Sequence, residues 1–283
     1  MKKRILIPTD FSQNAFNAIE YAMELFKEQE CDFLILNSYY HSGYSKDNLL
    51  SPEPKMEVRR EIQSKSEENM RKLKGRMDTF NANPLHSFFY LNEFGAFFEV
   101  MEKTVEKEGI QLVIMGTRGQ TDNKTVILGS NAVNVMEKIR QCPVLAIPST
   151  VAYKAPNEIV FPTSFRTNYK QTELKLLVEI AQITNAPIRI LHIQSEKSLT
   201  EAQLSNKAML EGLMAGAAYT HHRLYNIEVN DGVRSFVQSR ESEMIAIVNK
   251  KHSFFGSIFS NPMVKELEKH TNVPLLALHD REN

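Results

Sequence analysis

Residues 5–11 read ILIPTDF, and residues 159–165 read IVFPTSF. Each is a short apolar run closed by Pro-Thr, and each has the character of a buried strand entering a turn. After the first, Asp10 and Ser12 both offer an oxygen that can cap a following helix. Residues 13–28 then place Ala15, Ile19, Ala22, Met23 and Phe26 on one helical face. The pattern continues with a strand at 32–40, a charged helix at about 55–80, a strand at 86–92 and a helix at 96–108. It closes with a strand at 112–116, a helix at 130–140 and a strand at 143–148. Strands of consecutive apolar residues separated by helices predict a parallel sheet covered on both faces. The ligand crevice of such a sheet lies at the carboxyl ends of its strands.

The order then restarts. PIRILHIQ (187–194) echoes FLILNSYY (33–40), EMIAIVNK (243–250) echoes QLVIMGTR (111–118), and VPLLALH (273–279) echoes CPVLAIP (142–148). The expected organisation is two tandem five-stranded parallel-sheet α/β domains, 1–149 and 155–283, joined by the polar stretch TVAYKAPNE (150–158). The second is shorter, mainly between its first and fourth strands. The fifth strands are candidate sheet edges, apolar enough to need cover, which pairing between the two halves would supply.

The totals narrow the function classes. The 283 residues suit two domains, and 34 basic residues balance 34 acidic ones, so charge gives no reason to expect nucleic acid or membrane lipid as partner. Cys31 and Cys142 sit in or beside apolar runs and read as reduced core residues rather than a disulfide. The start, MKKRILIPTDF, has too short an apolar run for a signal peptide, and no segment reaches the ~20 apolar residues of a membrane span. The expectation is a cytoplasmic protein.

One stretch carries chemistry: IMGTRGQTDNKTVILGSNAV (114–133). Gly116 ends a strand where a missing Cβ would let a ring or phosphate approach the backbone, and Gly119 permits positive φ in a turn. Gly129-Ser130 opens a helix whose free N–H groups attract phosphate oxygens, and the Ser130 hydroxyl adds a donor or a cap. GQTDNKT (119–125) is a decoy, because a Walker loop needs a second glycine just before the lysine. A dinucleotide glycine fingerprint is also missing after the first strand.

The pattern Gly-x2-Gly-x9-Gly-Ser after Met115-Gly116 resembles the nucleotide-binding signature of ATP-binding universal stress proteins. The opening Pro8-Thr9-Asp10-Phe11-Ser12, the closing Cys142-Pro143-Val144-Leu145 and the strand order are similar to that family too. The resemblance covers both halves and implies a tandem universal stress protein of Rossmann-like fold, related to the adenine nucleotide alpha hydrolases. It implies a stress-response regulator or nucleotide sensor that binds ATP, AMP or ADP, with or without Mg²⁺. By position it implies that Asp10 meets ribose hydroxyls or a metal, while Pro8 and Thr9 wall the adenosine. Ser38 would meet the adenine edge, and Met115 and Gly116 would lie beneath the ribose. Arg118 and Gly119 would begin the phosphate loop, with Gly129, Ser130, Asn131 and Ala132 at the helix N-terminus. A compact intrachain pseudo-dimer is implied, with a homodimer as a further possibility.

In the second half, Asn249 stands for Gly116, His252 for Gly119, Asn261-Pro262 for Gly129-Ser130 and Ser164 for Asp10. Pro262 donates no N–H. This half is expected to lack nucleotide and to serve structure or dimerisation, with Phe254, Phe255, Ile258 and Phe259 filling its crevice or forming a partner surface. No catalytic residues and no resident metal site are expected. His221-His222, read as helical, would diverge by roughly 100°. Met209 to Met214 reads as a helix face on the sheet, and Tyr39-Tyr40-His41 as lining the crevice mouth or packing. The other readings are slow ATP hydrolysis, a scaffold without nucleotide, and an ATP pyrophosphatase, whose Ser-Gly-Gly loop PTDFSQN does not match.

Overall fold

The computed structural model describes residues 2–40, 56–80, 83–117, 129–194, 198–249 and 273–279. The first set of elements is β1 (Lys3–Pro8), α1 (Gln13–Leu25), β2 (Cys31–Tyr39), α2 (Met56–Phe80), β3 (His86–Phe94), α3 (Phe97–Lys107), β4 (Leu112–Gly116), α4 (Ser130–Lys138) and β5 (Val144–Ile147). The second set is β6 (Ile159–Pro162), α5 (Gln171–Thr184), β7 (Ile188–Gln194), α6 (Glu201–Leu213), β8 (Tyr219–Tyr225), α7 (Val229–Arg240), β9 (Met244–Asn249) and β10 (Leu275–His279). The fold is α/β, as the spacing of apolar runs predicts. The shorter span between first and fourth strands in the second set agrees with the thirteen residues of α6 against twenty-five in α2.

All ten strands form one sheet, in the order β3-β2-β1-β4-β5-β10-β9-β6-β7-β8. Neighbours are parallel except at the centre, where β10 runs antiparallel to β5 with Leu276 opposite Leu145. The fifth strands therefore cover one another, and two five-strand sets become a single sheet. Leu145 and Leu276 are both fully buried at this seam. Truncating either to alanine is expected to cost about 2–5 kcal/mol.

Alternation along each strand feeds two apolar layers. Ile5, Ile7, Phe33, Ile35 and Ile114 face α1 and α2, and on the same side Ile159, Phe161 and Ile190 face α5 and α6. Leu6, Leu34, Val113 and Met115 face α3 and α4, while Val160, Leu191, Ile245 and Ile247 share the layer with α7. Both layers run across the seam.

The turn after the first strand is built alike in both sets. Pro8 and Pro162 end their strands, Thr9 N–H donates to Leu36 O and Thr163 N–H to Leu191 O, both at 2.8 Å. Phe11 and Phe165 then sit at φ 63° and 54°, each with its N–H on the preceding threonine hydroxyl. A bulky residue in the left-handed region costs roughly 1–2 kcal/mol. The threonine bond helps to hold that strain.

Of the two candidate caps, it is Ser12 that caps α1, its hydroxyl accepting from Ala15 N–H at 3.1 Å. Other expectations change. His221 and His222 lie on β8 rather than a helix, so they point to opposite faces. His221 meets Glu211 at 2.7 Å and His222 meets Thr220 at 2.8 Å. In the methionine-rich segment Met214 is buried but Met209 is exposed. The stretch 150–158 is packed rather than loose: Tyr153 meets the Tyr21 ring edge-on, and Asn157 is held by Glu243. Its last residue, Glu158, is buried.

Candidate functional site

In the first strand set the order 3-2-1-4-5 reverses between β1 and β4, the place where an open α/β sheet leaves a crevice at its strand ends. A cavity of about 190 Å³ lies there, against the roughly 10–15 Å³ that one water requires, so its size suits an organic ligand. Its walls include Pro8, Thr9, Asp10, Ser38, Met115, Gly116, Gly129, Asn131 and Ala132, all singled out from the sequence. Ser130 is exposed and outside that lining. Arg118 and Gly119 lie outside the described residues. Sequence reasoning missed Ala15, Asn37, Phe97 and Thr117, which also line the cavity.

Each wall has a local cause. The left-handed turn at Phe11 carries Thr9 and Asp10 off the end of β1, and Asp10 Oδ1 accepts from Ser12 N–H at 3.0 Å. That bond fixes the aspartate beside the cavity without using it as the helix cap. At the end of β2, Asn37 is buried and donates from Nδ2 to Thr9 O at 2.7 Å. Ser66 of α2 lies 2.6 Å from the other end of the same amide. Beyond β4, Thr117 N–H donates to Ile147 O at 2.9 Å. The Thr117 hydroxyl is buried with no hydrogen-bond partner among the described residues.

Gly116 differs from its expected role, while Gly129-Ser130 opens a helix as the sequence suggests. A Cβ on Gly116 would lie 2.6 Å from Asn14 Nδ2 and 3.0 Å from Asn14 O, so the missing side chain admits the first turn of α1 rather than a ligand. Gly129, not Ser130, is the N-cap of α4, and its own N–H is spent on Thr117 O. The first intrahelical bond is Val133 N–H to Gly129 O. Helix geometry therefore leaves the N–H groups of Ser130, Asn131 and Ala132 for a ligand or solvent, at the positive end of the helix dipole. Tyr39 and Tyr40 pack on Phe94 instead of lining the cavity, and His41 is outside the described residues.

The same place in the second strand set is built differently. Ser164 replaces Asp10, His192 replaces Asn37 and donates from Nδ1 to Thr163 O at 2.8 Å, and Ile193 replaces Ser38. Since Thr163 O can only accept, His192 carries its proton on Nδ1. Ile193 presses on α7 at Gly232, where a Cβ would be 2.7 Å from Ile193 Cδ1. Asn249, in the place of Gly116, is buried and held by the first set: Nδ2 donates to Met136 O at 3.3 Å, and Arg140 donates to Asn249 O at 3.2 Å. His252, Asn261, Pro262 and the phenylalanines at 254, 255 and 259, with Ile258, lie outside the described residues.

Among the described residues no group of three or more His, Cys, Asp or Glu is placed to hold a metal, and no helix is long and apolar enough to cross a membrane. Cys31 and Cys142 are free and buried, and burial pushes the Cys31 thiol up to about 12. Neither cysteine lines the cavity.

Comparison with known proteins bears on this site. A family model described as the universal stress protein family matches residues 1–148. Universal stress protein MJ0577 of Methanocaldococcus jannaschii is 26% identical over 163 residues, 52% of this chain and 95% of that one. A universal stress protein structure from Archaeoglobus fulgidus DSM 4304 matches with TM-score 0.67 at 16% identity, covering 97% of this chain and 95% of that one. The functionally unknown protein PA1789 of Pseudomonas aeruginosa PAO1 matches with TM-score 0.61 at 10% identity, over 98% of this chain and 92% of that one. At such identities the two structures speak for fold alone, and they do so across both strand sets.

Proposed function

The chain belongs to the universal stress protein family, and on that premise we propose that its first crevice binds an adenine nucleotide. The protein then acts as a nucleotide-responsive module of the stress response. The observation that carries this reading is the convergence of one ligand-sized cavity, at the strand-order reversal, on the N-terminus of α4. In this arrangement the base and ribose lie between the ends of β1 and β2 and the floor at Met115. The phosphates lie at the N–H groups of Ser130, Asn131 and Ala132. Asp10 is the carboxylate beside them, suited to ribose hydroxyls or to a Mg²⁺ carried by the nucleotide.

Residues 1–149 and 155–283 form, in this reading, two tandem domains of the family. The second is structural, its Ser38 equivalent Ile193 packed on α7 and its Gly116 equivalent replaced by a tethered asparagine. The protein works in the cytoplasm.

Gly129 offers a clean test, because its φ of −69° and ψ of 156° suit a valine, whose side chain would enter the cavity wall. Titration calorimetry with ATP, ADP and AMP should show binding by the natural chain. Gly129→Val should weaken it by more than about tenfold, the equivalent of one or two lost hydrogen bonds. A natural chain that gives no heat and no thermal stabilisation with any of the three would remove the proposal.

A further inference from the structure

Among the described strands the sheet ends on β3 at one side and β8 at the other. A free edge is a template for another strand unless charge, proline or cover prevents it. β8 is guarded: its middle reads His221, His222, Arg223, so self-pairing centred on any of the three sets like groups against each other. β3 lacks such a guard. Its nine residues, HSFFYLNEF, hold no proline, no lysine and no arginine, and their one acid, Glu93, stands next to the end.

The backbone of β3 shows which groups are on offer. Leu85 O accepts from Cys31 N–H and Gly95 N–H donates to Tyr39 O, so the odd-numbered residues between them turn their main-chain groups to β2. Phe88, Tyr90 and Asn92 therefore point theirs away from the sheet. The side chains divide by face. Phe88 and Tyr90 lie on the α2 side, where Lys74 stands over the Tyr90 ring. Ser87, Phe89, Leu91 and Glu93 lie on the other side. There α3 packs on β2, and Phe89 is left 46% exposed. A groove of about 270 Å³ runs between the end of β3 and α3, lined by Leu91 and Val100 and by the charged Glu93, Glu99 and Lys103.

Antiparallel pairing of two copies about Tyr90 satisfies this edge. It sets Tyr90 against itself, Phe89 against Leu91, Phe88 against Asn92 and Ser87 against Glu93. Tyr90 then exchanges both main-chain bonds with its twin, and Phe88 does the same with Asn92. Phe89 and Leu91 fall in the close, non-hydrogen-bonded sites and form one apolar patch beside the grooves. Ser87 already holds a cation, since Lys2 is exposed and its Nζ donates to Ser87 Oγ at 3.2 Å. Glu93 of the second copy arrives opposite that serine, so each copy gives a lysine and receives a carboxylate. Sliding either copy by one step of the ladder separates the two charges.

We propose that β3 is an interface between two copies of this chain, paired antiparallel about Tyr90 across a two-fold axis, with Lys2 against Glu93 of the second copy. Two ten-stranded sheets then continue as one. The seam of β5 with β10 uses the same device inside the chain, an antiparallel pair of outer strands.

Sedimentation velocity of the full chain over a concentration series tests this. A contact one strand wide is small for a specific interface, so the dimer should form over roughly tens of micromolar. Phe89→Lys changes a side chain that the single chain leaves half exposed, and it should raise the dissociation constant by about tenfold or more. Glu93→Lys should raise it by about threefold to tenfold, and adding Lys2→Glu should bring it back. Tyr90→Cys reads the register, because it sets two thiols at the axis with Cα atoms about 5.5 Å apart, within disulfide reach. Oxidation should then cross-link the dimer, while the natural chain, whose cysteines are buried, stays uncrosslinked. In the dilute chain β3 exchanges its amides as a sheet margin; with rising concentration Phe88, Tyr90 and Asn92 should slow and β8 should not. A chain that stays monomeric through the whole series overturns the inference. So does a dimer that Phe89→Lys leaves intact or Tyr90→Cys fails to cross-link, since another surface then joins the copies. If Phe89→Lys melts early at dilution, the charge swap decides, and loss without recovery overturns the register and the inference with it.

Discussion

At the ends of β1 and β6 the chain makes one turn twice and builds two different places. The Thr9 and Thr163 backbone bonds, the left-handed Phe11 and Phe165, and the threonine hydroxyl under each are common to both. What differs is a handful of side chains: Asp10 against Ser164, Asn37 against His192, Ser38 against Ile193, Gly116 against Asn249. The turn is a backbone device, and its chemistry is decided by what surrounds it. A contrast at the other end of the same strands makes the point again. Arg4 on β1 pairs with Glu108 after α3, while Glu158 before β6 pairs with Arg240 at the end of α7, the same positions with the charges exchanged.

The exchange is unequal, and that gives the largest expected effect. Arg4 is more than a third exposed, so its pair contributes at most about 1 kcal/mol. Glu158 is buried and takes hydrogen bonds from Arg189 at 2.7 Å, Arg240 at 2.7 and 2.8 Å and Ser242 at 2.6 Å. Burial alone would raise its carboxyl, but the bonds from Arg240, Ser242 and Arg189 outweigh it and hold the pKa down at about 2, from an ordinary 4.5. A depressed folded pKa contributes stability that is full above the unfolded value and disappears as pH falls. Glu158→Gln should therefore cost roughly 3 kcal/mol in denaturant unfolding at pH 7, and Arg4→Ala less than about 1 kcal/mol. Between pH 4.5 and 2 the penalty of Glu158→Gln should shrink toward zero. A penalty that stays constant across that window would break the contrast.

Next in size is the fourth-strand position. Gly116→Ala should destabilise by about 1–3 kcal/mol, because α1 stands where the new methyl must go. Asn249→Ala should lose about 1–2 kcal/mol through its side-chain bonds, Nδ2 donating to Met136 O and Oδ1 accepting from Arg140. If Gly116→Ala is neutral by thermal unfolding, the early start of α1 is not what demands the glycine.

The smallest effect concerns that start. α1 begins five residues after Pro8 and is capped by the Ser12 hydroxyl, whereas α5 begins nine residues after Pro162, with Glu173 reaching back to Lys170 N–H at 3.1 Å. Ser12→Ala should cost about 1 kcal/mol, read as a lower midpoint in urea. No change would mean that packing alone places Asn14 against Gly116.

Much of this was legible in the residues because both faces of the sheet are covered. Runs such as ILIP, FLIL and VLAI leave no alternation to misread, and the repeated Pro-Thr fixes where the strands end. The edge strand β8 was not legible, since THHRLY mixes polar and apolar residues on a half-wet rim. Glu158 read as linker because a buried acid looks solvated until its arginine partners, 31 and 82 residues away, are brought in. Asn37 was hidden inside an apolar run, and Ser66 on a charged helix, for the same reason: their partners are remote in the chain. Gly129 and Ser130 are adjacent and both able to cap, so spacing alone left the choice between them open. Most of the cavity wall was foreseen from the glycines and the Pro-Thr-Asp turn, which act locally.

The antiparallel seam has a kinetic consequence. In two separate five-stranded sheets, β5 and β10 would be rims, exchanging their amide protons with solvent early. Joined, they sit at the middle of ten strands with every residue buried, while β3 and β8 form the wet margins. Deuterium uptake should then rise outward from the seam in both directions, slowest where the two halves of the chain meet.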